Sequence, residues 1–206
     1  SKIFALLWRL QCSQSTTLLS LIECQFEAWS LQKLIQGLPK ISIVDLRFDS
    51  CKGEFTGENL KNLLQCGKIT SLALEGMSPS IDENIDQVAL GLRSDASQTL
   101  QSLRISSNSI AALAQAVVVP TMQHKLQTLH LCGAVVDQGA TACLASLLAN
   151  PKCLLHNLGF RDCMFSEGSL DTIFQIFQRS PQINTCYVQP LQNQESVFWQ
   201  RFLLSL

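Results

Sequence analysis

The chain has 206 residues, 47% of them hydrophobic and only 15% charged, which supplies a continuous core and is too apolar for a disordered chain. A formal net charge of −1 gives no overall attraction to nucleic acid or to an acidic membrane surface. The chain opens on Ser1 rather than Met, which reads as the C-terminal part of a longer protein.

Ile3, Phe4, Leu6, Leu7 and Leu10 fall on one broad helical face, so residues 1–15 are expected to hold a helix covering the edge of the first strand. Trp8-Arg9 interrupts the apolar run and no small-residue cleavage pattern comes after it, so no signal peptide is expected. No run approaches about 18 apolar residues, so no membrane span is expected.

From Thr16 onward, strand-like and helix-like patterns alternate. Leu19-Ser20-Leu21 reads as a strand, followed by a helix with Leu31, Leu34, Ile35 and Leu38 inward, Ser30 as N-cap and Pro39 as stop. Val44-Asp45-Leu46 is the second strand; Thr56 caps a helix carrying Leu60, Leu63 and Leu64. Leu72-Ala73-Leu74 is the third, and Ser80-Ile81-Asp82-Glu83 is a capping-box pattern before Ile85, Val88, Ala89 and Leu92. The polar stretch 94–99 predicts an enlarged loop. The fourth helix is Ala-rich from Ala111 to Val118, and Pro120 stops it. Leu129-His130-Leu131 is followed by a helix opening at Asp137, and Leu158-Gly159-Phe160 by one capped at Ser166 with Leu170, Ile173, Phe174 and Phe177 inward. The last unit, Cys186-Tyr187-Val188, leads to Val197, Phe198, Phe202 and Leu203, an expected C-terminal capping helix.

Aligned, these units form an internal repeat. Leu19, Val44, Leu72, Leu103, Leu129, Leu158 and Cys186 succeed one another at intervals of 25, 28, 31, 26, 29 and 28 residues. The residue two further on is apolar in every unit, and the residue three earlier in all but the first, where it is Thr16. Each strand returns to the next through a helix, which demands a parallel sheet.

The clearest unit, Leu100-Gln101-Ser102-Leu103-Arg104-Ile105-Ser106-Ser107-Asn108-Ser109-Ile110, reads L-x-x-L-x-L-x-x-N-x-L with Ile standing for Leu twice. It resembles the leucine-rich-repeat family, and units of about 28 residues with a helical second half look like its ribonuclease-inhibitor-like class. The resemblance spans about residues 16–206. It implies an α/β solenoid of about seven repeats in a single domain, with a curved parallel sheet inside and helices outside. The Asn position departs from the pattern at Cys24, Asp49, Met77, Ala134, Cys163 and Leu191; Met77, Ala134 and Leu191 cannot bond the turn backbone well, so looser turns are expected at those three.

The nine cysteines are odd in number and include no C-x-x-C; buried free thiols are expected rather than a disulfide or zinc framework. With no N-x-S/T acceptor site, that points to a cytoplasmic or nuclear protein. His124, His130 and His156 are not at metal-ligand spacing. No nucleophile elbow, phosphate loop, dinucleotide fingerprint or H-E-x-x-H is present. Asp82, Glu83 and Asp86 read as a solvated helix start. Asp45 and Glu75 are expected to face each other across strands, but two carboxylates alone make no acid–base pair. No enzyme, cofactor, metal or small-molecule substrate is therefore expected.

The expected functional surface is the concave face of the sheet. Its central column reads Ser20, Asp45, Ala73, Arg104, His130, Gly159, Tyr187, and the next one Ile22, Arg47, Glu75, Ser106, Cys132, Arg161, Gln189. Asp45, Arg47 and Glu75 gather in the N-terminal half; Arg104, His130, Arg161 and Tyr187, which include types enriched at binding hot spots, gather in the C-terminal half. The expectation is a non-catalytic module binding a protein partner, the recognition or scaffold part of a larger intracellular protein. The alternative is an enzyme-regulating module of the GTPase-activating kind, which some similar repeat proteins are.

Overall fold

The computed structural model describes residues 2–13, 16–78, 80–94, 99–117 and 125–190. His124, Pro120, Leu191, most of the expected loop at 94–99 and the expected C-terminal helix lie outside them. The elements run α1 (Lys2–Cys12), β1 (Leu18–Ile22), β2 (Gln25–Phe26), α2 (Ala28–Gly37), β3 (Asp45–Asp49), β4 (Lys52–Gly53), α3 (Gly57–Leu64), β5 (Ser71–Glu75), α4 (Ile85–Leu92), β6 (Ser102–Ser106), α5 (Ile110–Val117), β7 (Thr128–Cys132), β8 (Val135–Val136), α6 (Gln138–Ala149), β9 (Asn157–Phe165), α7 (Ser169–Arg179) and β10 (Thr185–Pro190).

The fold is α/β with a parallel sheet. Its main path is β1-β3-β5-β6-β7-β9-β10, strictly in chain order; β8 adds to β9 off this path, and β2 pairs β4 separately. Helices pack in the same order, α1 on α2 through to α6 on α7. Among the described residues, no helix is long and apolar enough to cross a membrane.

Local chemistry starts the helices largely where the side chains allow. Thr56 Oγ1 accepts from the Asn59 N–H (3.3 Å) and Asp137 Oδ1 from the Ala140 N–H (2.7 Å), each satisfying an N-terminal donor. Ser80 accepts from the Asp82 N–H, opening a 3-10 turn before α4. Two expected caps differ. Glu27 is the N-cap of α2, with Ser30 Oγ accepting the Glu27 N–H from inside the first turn. Gly168 caps α7, and Ser166 instead accepts at its carbonyl from Ser169 Oγ.

The core is one large cluster formed by sheet and helices, with a small second one around Leu170 and Phe174. Leu19, Leu46, Leu72, Leu103, Leu129 and Leu158 are in register across the sheet and buried. Here the second strand departs from the sequence reading. Leu46, not Val44, pairs with Leu19 and Leu72, so the register is displaced by two residues and Val44 is 37% exposed. The reason is aromatic. This register buries Phe48 completely, edge-to-face with Phe26 (5.8 Å) and Phe55 (5.6 Å).

Five of the strands lead into a turn with one left-handed residue. The fourth residue past the register leucine has positive φ in five strands: Glu23 (51°), Ser50 (53°), Gly76 (57°), Gly133 (62°) and Asp162 (54°). Glu23, Ser50 and Gly133 each donate their N–H to a backbone carbonyl of the neighbouring strand in the main sheet, on Asp49, Glu75 and Arg161 (2.8–2.9 Å). The Ala134 turn keeps this geometry, so the looser turn expected there does not form; the Met77 turn keeps the left-handed residue, but the Gly76 N–H donates to Ser106 Oγ (3.3 Å) instead of to a carbonyl. With the register corrected, Cys51 takes the Asn position instead of Asp49. Its thiol donates to the Leu21 carbonyl (3.2 Å), as the Cys163 thiol does to that of Leu131 (3.4 Å). The nine cysteines are free thiols, with Cys51, Cys132 and Cys163 buried.

In the unit containing Asn108 a side chain holds the turn. The Asp82 carboxylate accepts from the Ser107 hydroxyl (2.5 Å) and from the Asn108 and Ser109 N–H groups (3.0 and 3.3 Å). Burial alone pushes the Asp82 carboxyl up, but these hydrogen bonds outweigh it and hold it below its ordinary value. Asn108 Oδ1 in turn accepts from the Val135 N–H (3.1 Å).

Candidate functional site

Side chains alternate along a strand, so the residue after each buried leucine points to the opposite face of the sheet. In register, that column is Ser20, Arg47, Ala73, Arg104, His130, Gly159 and Tyr187. Arg47 therefore replaces Asp45 in the expected central column. Asp45 sits one column earlier, opposite Ser71, while Glu75 pairs with Asp49. Asp45 and Glu75 do not face each other. Instead Asp45 grips Arg47 with both oxygens (2.8 and 3.2 Å), a self-contained pair on β3 that holds the Arg47 pKa above its ordinary value.

The C-terminal group comes together as expected. Arg104, His130 and Tyr187 occupy one column, and Arg161 lies in the next one beside Cys132. With Cys132 and Gly159 they line a hollow of about 270 Å³. Gly159 makes room for it: a Cβ there would stand 2.7 Å from His130 Cδ2, so the imidazole lies directly over the glycine. The Tyr187 hydroxyl donates to Gln189 Oε1.

Glu75 belongs to this group rather than to an N-terminal one. Its side chain is only 10% exposed and forms ion pairs with Arg104 (Nη1–Oε1, 3.4 Å) and with Arg161 through Nη2. Sequence reasoning missed this contact, although the aligned columns contain its signal. Glu75 lies one step past the Leu74–Ile105 pair, and Ser106, Cys132 and Arg161 continue its column across the sheet. Ser106 and Cys132 are short, so the two long side chains meet above them.

Glu75 does not itself line the hollow, but its carboxylate is ion-paired with both arginines that do. Burial, with Arg104 beside it, holds His130 below its ordinary 6.5, so the ring is neutral at pH 7 and offers hydrogen bonds rather than charge. Burial also pushes the Cys132 thiol up to about 11, so it stays protonated and is a poor nucleophile. Arg161 Nε is buried without a hydrogen-bond partner among the described protein groups. His156 stands apart, with Nδ1 3.0 Å from the Gln182 carbonyl, in a link between loops. Among the described residues, no group of His, Cys, Asp and Glu could hold a metal ion. The arrangement can bind a hydrogen-bonding anion. No family model matches the chain, and no curated protein matches it in sequence.

Proposed function

We propose that this chain is a leucine-rich-repeat solenoid of the ribonuclease-inhibitor-like class, and that its open sheet face is a non-catalytic protein-binding surface of a recognition or scaffold protein. The strand order supports the solenoid: it runs in sequence without the reversal at which a doubly wound sheet binds its ligands. Helices that pack successively in one series, and a left-handed turn at the same place after five strands, support it as well. Nine free thiols favour the cytoplasm or nucleus.

The observation that carries the functional reading is the hollow holding Arg104, His130, Arg161 and Tyr187. Two guanidinium groups, a neutral imidazole and a phenol suit an acidic, hydrogen-bonding segment of a protein partner. Neither nucleic acid, membrane nor a small-molecule substrate is its ligand. The test compares partner binding by the wild type, by Arg104→Gln with Arg161→Gln, and by Lys33→Glu with Arg179→Glu on exposed helix positions. Neutral substitutions are chosen because a new carboxylate would crowd Glu75. Loss of binding in the first pair alone supports the reading; loss in the second pair alone places the interface on the helical side.

A further inference from the structure

The two arginines of the hollow already have an anionic partner. A carboxylate, that of Glu75, sits between the two arginines on which the proposed function rests. Its fit is incomplete. An arginine edge formed by Nε and one Nη matches the two oxygens of a carboxylate as a fork. Glu75 engages Nη2 of Arg161, but Nε of that edge is buried and has no hydrogen-bond partner among the described residues. Asp162 Oδ2 stands 3.9 Å from Nε, beyond hydrogen-bond reach, and the Asp162 side chain is 53% exposed. Burying an N–H of a charged group without an acceptor is costly, so this edge favours a group that completes it. Glu75 cannot complete it and also serve Arg104.

We propose that Glu75 is an internal stand-in for a carboxylate of the partner. Binding is an exchange: the incoming carboxylate takes the Nε–Nη2 edge of Arg161 with both oxygens, and Glu75 withdraws to Arg104. The hollow is therefore kept closed to weak anions by its own acidic residue. It opens to a carboxylate whose neighbouring contacts, to His130 and Tyr187, compensate for displacing Glu75.

This rests on the reading of the hollow as the site for an acidic segment, and the test separates the two. The probes are a fluorescent peptide with Asp and Glu side chains and blocked termini, a Gly/Ser peptide with a free C-terminal carboxylate, and a Lys-rich peptide as control. Glu75→Gln keeps the shape of the side chain and removes its charge; circular dichroism confirms that the variant is folded. It should bind one or both carboxylate probes about five- to tenfold more tightly than wild type, the scale of one partly exposed ion pair, and Arg161→Gln should abolish the gain. Which probe responds tells an acidic side chain from a chain terminus. In the wild type, the carboxyl carbon resonance of Glu75 should shift as probe is added. If wild type binds through Arg161 but Glu75→Gln is no tighter, or weaker, Glu75 only positions the arginines and the exchange is wrong. If neither wild type nor Glu75→Gln binds a carboxylate probe, the acidic-segment reading itself fails.

Discussion

Glu75 and Arg161 stand three strands apart, about 14 Å of sheet, and are ion-paired over the short side chains of Ser106 and Cys132. The contact ties β5 to β9 on the face opposite the core. Because Arg161 is partly exposed, its value to stability is modest. Glu75→Gln and Arg161→Gln should each destabilise the fold, and the double variant by less than their sum, with a coupling of about 0.5–1 kcal/mol. Urea unfolding of the four proteins measures it; strict additivity would show that the two groups do not interact in solution.

The register of β3 makes a sharper stability prediction. Phe48→Ala should cost about 3–5 kcal/mol, because it leaves a cavity beside Phe26 and Phe55. Val44→Ala should change stability by no more than about 0.5 kcal/mol, since Val44 is partly exposed. Equal costs in thermal or urea unfolding would contradict the register.

That strand also shows where sequence reading reaches its limit. Both Ile41-x-x-Val44-x-Leu46 and Ile43-x-x-Leu46-x-Phe48 fit the same pattern. A slip of two residues keeps every side chain on its face, so alternation alone does not choose between them. What chooses is the aromatic cluster, a contact among three segments that no local pattern encodes. The parallel sheet, the helix positions and the column Arg104, His130, Tyr187 were legible because the repeat fixes them independently in several units. The Glu75–Arg161 pair was not, because it depends on how far two flexible side chains reach across intervening short ones. The turns misled for a related reason: a backbone N–H reaching the next strand does what the Asn side chain was expected to do.

Acid should release the turn at Asp82. Its carboxyl is held below the ordinary 3.8, so the folded state prefers the ionised form. The stability it contributes is complete above pH 3.8 and is lost as pH falls through the lower folded value. Asp82→Asn should destabilise the protein by about 1–3 kcal/mol at neutral pH and flatten the acid limb of its stability curve. An unchanged acid limb would assign that transition to other carboxyls.

Gly159 keeps His130 in place. Gly159→Ala puts a methyl 2.7 Å from the imidazole Cδ2, so the ring must move. Moved toward water, it loses part of the burial that depresses its pKa, which should rise toward 6.5. Proton NMR titration of the His130 ring reads this directly. The same pKa and ring shifts as in the wild type would mean that the ring does not rest on the glycine.

The central claim, that the open sheet face is the binding surface, is tested most directly by placing a photo-crosslinking residue on each side of the molecule. Tyr187→benzoylphenylalanine puts it at the hollow and Lys33→benzoylphenylalanine on α2. Irradiated with the partner, the first should give one discrete adduct whose crosslinked partner peptide is rich in Asp and Glu, and the second none. A discrete adduct from position 33 with none from position 187 would contradict the account.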